Sequence, residues 1–268
     1  MCTLEKRGNL FFLTLTGDDD HRFSLTLIET LIFALSQVKS QAVNGSALIT
    51  TAHGKFFSNG FDLAWAQSAG SSSGAVDRLH HLVTSFKPVV SALLSLPMPT
   101  IAALPGHAAA AGFLLALSHD YVLMRRDRGV LYMSEVDIGL TFPDYFTALM
   151  RSKIGSASTR RDILLAGRKV KGEEAVRMGI VDSEAHNSEE SVVEAAVRLG
   201  EQLVKRKWNG EVYAEIRKSL YPEVCGVLGL VPKTVVASSK LWDNFTSDYA
   251  IVIVIKSCSM LLSCHVCD

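Results

Sequence analysis

Apolar residues recur along the first two hundred positions in two rhythms. Short blocks run almost wholly apolar: 9–17 (NLFFLTLTG), 46–52 (SALITTA), 100–106 (TIAALPG) and 121–126 (YVLMRR). Blocks of this length beside glycine or proline predict buried strands. Between them, 25–39 and 82–96 repeat apolar positions at helical spacing, the second with a kink expected at Pro88 and a stop before Pro97. Repeated strand–helix–strand units predict an α/β fold with a parallel sheet and crossover helices. From Glu173 the pattern turns helical, through 173–179 (EEAVRMG), 188–207 and 210–220. No internal repeat stands out.

Composition narrows the class. Of 268 residues, 48% are hydrophobic, enough for a sizeable core. Lys+Arg and Asp+Glu number 27 each, so the formal net charge is zero, which argues against a nucleic-acid partner. The N-terminal MCTLEKRGNL has no apolar signal region. Five cysteines, with Cys258, Cys264 and Cys267 crowded near the end, do not make a disulfide scaffold. The apolar run 249–255 (YAIVIVI) meets Lys256 and is too short for a membrane span. An intracellular soluble chain is expected.

Two glycine-marked turns hold the candidate chemistry: 54–63 (GKFFSNGFDL) and 105–117 (PGHAAAAGFLLAL). Each follows a buried strand and opens into a predicted helix. There the first backbone N–H groups lack intrahelical partners and have the helix dipole behind them. Two such ends, converging, could hold one carbonyl oxygen as it becomes negative, and small residues would let substrate reach the amides. Taken singly, each turn reads first as tight helix–sheet packing.

The two turns, in this order, resemble those of the crotonase superfamily, the enoyl-CoA hydratase/isomerase group. The likeness continues through 132–143 (YMSEVDIGLTFP) and 173–182 (EEAVRMGIVD), and covers roughly 9–229. It implies a crotonase-like ββα spiral core over 1–200 and a C-terminal helical region over 201–236 used in oligomerisation; 237–268, apolar, β-branched and cysteine-bearing in its later part, is unlike the rest and is expected to be a poorly ordered tail. It places the first oxyanion donor at Phe61, after Gly60. Aligned with the family's Gly-x-x-x-Gly-Gly-Gly-x-Glu, GHAAAAGFLLAL puts the second donor at Ala111, beside Gly112. The family usually has glycine where Ala111 stands.

Hydratases of the superfamily have one catalytic glutamate at the position of Leu114 and a second at that of Glu135. Adding water uses both; moving a proton between carbons needs one group acting as base and then acid. A lone Glu135 against an apolar wall, its pKa raised by desolvation, fits proton transfer. Monofunctional Δ3,Δ2-enoyl-CoA isomerases have this pattern. The resemblance implies an acyl-CoA substrate along Ser58, Asn59, Gly60, Asp62 and Leu63, with Gly112 and Leu114 beside it. It implies no metal and no redox cofactor, CoA being part of the substrate, and a trimer or pair of trimers. Other thioester chemistry on the same fold, hydrolysis or decarboxylation, and a non-catalytic acyl-CoA binder are the alternatives.

Other groups read as structural first. Asp144 after Pro143 suits a helix start, His107 a structural imidazole, and Arg125–Arg128 a solvated turn; Arg160 and Arg161 could add to a field for the CoA phosphates, and His53 has no evident partner. Cys258, Cys264, His265 and Cys267 lack the paired spacing of a metal knuckle. Ser239-Lys240-Leu241 spells a peroxisomal address, which is read only at a free C-terminus, and here Trp242–Asp268 follow. The family resemblance points to the peroxisome; the internal position of the tripeptide points to a cytosolic form.

Overall fold

The computed structural model describes residues 1–237, so the tripeptide 239–241 and the cysteine-bearing tail lie outside the described residues. Met1–Val236 form one compact unit. In chain order the strands are β1 (Cys2–Arg7), β2 (Leu10–Leu15), β3 (Ala47–Thr51), β4 (Phe56–Ser58), β5 (Thr100–Leu104), β6 (His107–Ala109), β7 (Tyr121–Arg125), β8 (Val130–Tyr132), β9 (Val170–Lys171) and β10 (Ser183–His186). The helices are α1 (Leu25–Ser40), α2 (Leu63–Gln67), α3 (Ser72–Leu94), α4 (Ala111–Leu117), α5 (Glu135–Ile138), α6 (Asp144–Lys153), α7 (Ala157–Leu164), α8 (Gly172–Arg177), α9 (Glu189–Val204), α10 (Gly210–Leu220) and α11 (Pro222–Val227).

Two sheets result. The larger has the order β1-β2-β3-β5-β7-β10 and is parallel apart from the β1–β2 hairpin; the smaller runs β4-β6-β8-β9, with β9 antiparallel to β8. Consecutive strands split between the sheets: β3, β5 and β7 enter the larger, β4, β6 and β8 the smaller, and helices follow each pair. The chain therefore winds as a ββα spiral of three turns. The sequence hides this repeat because successive turns differ in length: β3, β5 and β7 begin at residues 47, 100 and 121.

Burial explains the apolar blocks. Every residue of β3 and β5 is buried, because helices cover both faces of the larger sheet. One face packs against α1 and α3 in the main core. The other receives α9 through Val192 and Ala196 on Leu10, Ile49 and Ile101. At Gly200 of α9 a β-carbon would stand 3.0 Å from Leu10 Cδ2, so glycine permits this close approach. The expected boundary at 200/201 falls inside α9.

Most predicted elements lie within a residue or two of their expected positions. Two differences have physical causes. Helix α3 begins at Ser72, ten residues before the expected start at 82, capped by Ser71, whose Oγ accepts from the Gly74 N–H at 3.1 Å. Its first turns are polar because they are largely exposed, so they show no apolar stripe. Pro88 sits within this helix without ending it. Strand β1 (CTLEKR) is an edge strand whose charged residues are exposed, and it lacks the apolar block that marks the inner strands.

Candidate active site

The small sheet brings the two glycine-marked turns together. The first leaves β4 at Gly60, whose φ of +78° suits glycine. On either side of Phe61 the backbone is occupied: the Phe23 N–H donates to Gly60 O at 2.8 Å, and the Asp62 N–H donates to Phe23 O at 3.2 Å. The Asp62 carboxylate accepts from the Trp65 N–H at 3.0 Å and caps α2. The Phe61 N–H between them finds no acceptor among the described residues.

The second turn leaves β6 at Ala110. Its N–H donates to Tyr132 O at 3.0 Å, and Ala111 begins α4. As the first helical residue, Ala111 has no intrahelical acceptor, and none is found elsewhere among the described residues. The turns are in contact. A β-carbon on Gly60 would stand 3.1 Å from Ala110 Cβ and 3.5 Å from Ala111 N, and one on Gly112 would stand 2.3 Å from Ser58 O. Gly112 is thus required for α4 to seat against β4. This seating sets Ala111 N against the Gly60 turn, and Phe61 is the next residue of that turn.

Glu135 opens the short helix α5, which ends at Gly139 in the left-handed region. It is 8% exposed, and its Oε2 has no hydrogen-bond partner among the described residues. Burial pushes its carboxyl up to about 7, only partly offset by backbone N–H groups of Glu135 and Ser134. It lines a cavity of about 490 Å³ together with Phe61, Ala110 and Asn59. Apolar walls come from Leu79 and Val83 of α3, from Leu140 and Phe142, and from Phe146 of α6. Glu135 is the one carboxylate on that lining among the described residues.

The expected site residues divide into three groups. Phe61, Asn59, Leu63 and Glu135 line the cavity. Ser58, Gly60, Ala111 and Gly112 shape the contact between the turns, with the buried Ser58 Oγ donating to His21 O at 2.8 Å. Asp62 serves as a helix cap, and Leu114 is fully buried in the core, off the cavity wall. Among the cavity residues that sequence reasoning missed are Ala110, Arg22, paired with Asp20 at 3.0 Å, the upstream turns of α3 (Val76, Leu79, His80), Tyr132 and Ser134. Ala110 lies within the second turn, and Tyr132 and Ser134 within the 132–143 stretch, without a signal of their own; the others lie outside the motifs.

The other candidates lie elsewhere. Asp144 is the first residue of α6, where its carboxylate accepts from the Tyr145 N–H at 2.7 Å. His107 begins β6, off the cavity, and burial, helped by Lys55 and Lys169, holds its pKa below the usual imidazole value. His53 pairs with Glu189, Arg125 with Asp127 and Arg161 with Asp162, and Arg160 donates to Ile154 O and Gly155 O. Among the described residues no group of three or more His, Cys, Asp or Glu could hold a metal ion, and no helix is long and apolar enough to cross a membrane.

Comparison with known proteins gives the family of the chain. The family model described as enoyl-CoA hydratase/isomerase matches residues 9–222. The chain is 70% identical over 241 residues to peroxisomal enoyl-CoA delta isomerase 2 of Arabidopsis thaliana, covering 90% of this chain and 100% of that protein. It is 68% identical to enoyl-CoA delta isomerase 3 of the same plant over 86% of this chain and 96% of that one. The solved structure of an enoyl-CoA isomerase from Mycobacterium tuberculosis superposes with a TM-score of 0.74 at 21% identity, over 85% of this chain and 94% of that one, a likeness of fold. The expected ββα spiral is the fold found. With the family model covering most of its length, the chain belongs to the enoyl-CoA hydratase/isomerase, or crotonase, family.

Proposed function

We propose that this protein is a Δ3,Δ2-enoyl-CoA isomerase that moves the double bond of a 3-enoyl-CoA, cis or trans, into conjugation as the 2-trans-enoyl-CoA. The observation that carries this reading is Glu135, the one carboxylate on an apolar cavity and with no partner for its Oε2, beside two unpaired amides. The names of the two plant relatives support it.

The thioester oxygen accepts hydrogen bonds from the Phe61 and Ala111 N–H groups, which acidifies C2. The Glu135 carboxylate removes a C2 proton, and the electron pair of that C–H bond delocalises through C1 onto the thioester oxygen and over C3=C4 to C4, as a dienolate. Each amide that follows this charge contributes about 3–4 kcal/mol to the transition state. The protonated Glu135 then delivers the proton to C4, leaving C2=C3 and regenerating the carboxylate. A pKa of about 7 suits both halves, since the group must accept and release a proton near neutrality. Hydration would call for a second carboxylate, and the hydratase position holds Leu114.

CoA enters as part of the substrate, and Asn59 and Leu63 on the cavity lining support its passage along the first turn. No metal or redox group has a part in these steps. Self-association as a trimer or pair of trimers belongs to this reading; exposed Ile216 and Leu220 on α10 flank an apolar groove of about 340 Å³ that suits a second copy. The peroxisome is the proposed compartment, supported by the name of the 70% identical relative; a cytosolic form has no such support. The decisive experiment incubates the protein with 3-hexenoyl-CoA and follows the absorbance of the conjugated thioester. A product of 2-trans-hexenoyl-CoA is expected. Formation of 3-hydroxyhexanoyl-CoA, of free CoA or of no product would reject the proposal.

A further inference from the structure

Ala110 has a backbone that glycine would adopt at lower energy. Its φ of +49° and ψ of −121° lie where an alanine β-carbon crowds its own backbone. The surroundings hold it there. Its N–H donates to Tyr132 O and its carbonyl accepts the Leu114 N–H, both at 3.0 Å, so it cannot relax without breaking the junction of β8 and α4. The methyl group retained at this energetic cost lines the active cavity.

The position of that methyl gives it a role. Besides the β4–β6 pairing and the contact of Gly106 with Lys55 O, the two turns have two contacts close to the amides. At Gly112 the second turn touches the first without a side chain between them, since a β-carbon there would lie 2.3 Å from Ser58 O. At Ala110 the same turn meets Gly60 through a methyl, in a gap so narrow that a β-carbon on Gly60 would stand 3.1 Å from it. The turns are therefore pinned together at one contact and held apart at the other. The unpaired amides of Phe61 and Ala111 directly follow Gly60 and Ala110, one on each side of this methyl contact.

We propose that Ala110 is the positioning residue of the oxyanion site: its β-carbon is a spacer between the two amide-bearing turns, and the strain of its backbone is the cost of that spacing. It acts through the amides of Phe61 and Ala111 and itself contributes no proton and no hydrogen bond to substrate. This inference rests on the isomerase reading above. Removing the spacer relieves strain and lets the Gly60 turn settle toward Ala110. The hole then fits the ground-state thioester about as well, but no longer matches the dienolate oxygen, whose bonds depend on sub-ångström placement.

The test compares wild type, Ala110→Gly and Ala110→Ser by thermal melting and by steady-state isomerisation of 3-hexenoyl-CoA. Ala110→Gly is expected to melt about 2–4 °C higher, to keep KM within about twofold, and to lose roughly tenfold or more in kcat. Ala110→Ser, which restores a β-carbon, is expected to recover most of that loss. A glycine variant with kcat within twofold of wild type, or with a lower melting temperature, overturns the proposal, as does a serine variant as slow as the glycine one. Because wild type runs in the same assay, failure of the isomerase reading itself shows as an inactive wild type, distinct from an unaffected Ala110→Gly.

Discussion

Two buried carboxylates in this molecule have opposite surroundings. Asp120, between α4 and β7, accepts hydrogen bonds from the Thr100 N–H at 2.9 Å, the Tyr213 hydroxyl at 3.2 Å, and the Arg217 guanidinium at 2.7 and 2.6 Å. Burial alone would raise its pKa, but the charge and hydrogen bonds of Arg217 more than offset this and hold the carboxyl below its usual range. Glu135 has comparable burial and no side-chain partner, and its pKa rises to about 7. Burial therefore does not mark a catalytic acid. What distinguishes the two is whether the fold supplies cations and donors. Asp120 fastens α10 to the sheet, with Arg217 also donating to Leu96 O at 2.7 Å. Glu135 is left with an unmet demand for a proton, and the cavity in front of it admits a ligand that can supply one.

The sharpest way to break this contrast is to neutralise Glu135. Glu135→Gln keeps the shape, deletes the base and is expected to lower kcat by about 10²–10⁴, measured on 3-hexenoyl-CoA. The same variant should melt no lower than wild type, because Oε2 has no partner to lose and the amide oxygen can still accept from the backbone N–H groups of Glu135 and Ser134. Asp120→Ala is the converse case. It leaves Arg217 buried and uncompensated and is expected to cost about 3–5 kcal/mol in urea denaturation, with kcat of the folded fraction little changed. Tyr213→Phe removes a single donor from Asp120 and should cost about 1 kcal/mol, since Arg217 and Thr100 remain. If Asp120→Ala abolished activity in fully folded protein, or Glu135→Gln unfolded it, the division of roles between the two acids would fail.

The two acids also differ in how legible they are in the sequence. Glu135, Phe61 and the small residues around Gly112 belong to local stretches that resemble family motifs, and the resemblance, more than any single residue, assigned them. Strands β3 and β5 are legible directly, because burial on both faces leaves uninterrupted apolar blocks. The partnership of Asp120 with Arg217, 97 residues apart, leaves no local trace. The positive φ of Ala110 is equally silent, because alanine gives no signal of a backbone that only its contacts enforce. Leu114 shows a third limit. Its register identified a position where hydratases have a carboxylate, while its packing in the core became visible only in three dimensions. Strand β1 and the first turns of α3 were missed because their exposed faces are polar.

Titration of Glu135 tests the central claim most directly. The carboxylate is the base, so kcat/KM for 3-hexenoyl-CoA should fall as pH drops through about 7, with a single ionisation governing the limb. Stability should move the opposite way. A raised folded-state pKa means the native state holds its proton more tightly than the unfolded chain. The contribution of Glu135 is therefore fully present below about 4.5 and is lost as pH rises to about 7, on the order of 3 kcal/mol. Glu135→Gln should remove this slope. An activity limb near pH 7, mirrored by a stability change absent from Glu135→Gln, is the predicted result. Activity that stays flat from pH 8 down to 5, with wild type and Glu135→Gln equally stable throughout, would mean that Glu135 ionises as an ordinary surface acid and is not the proton carrier.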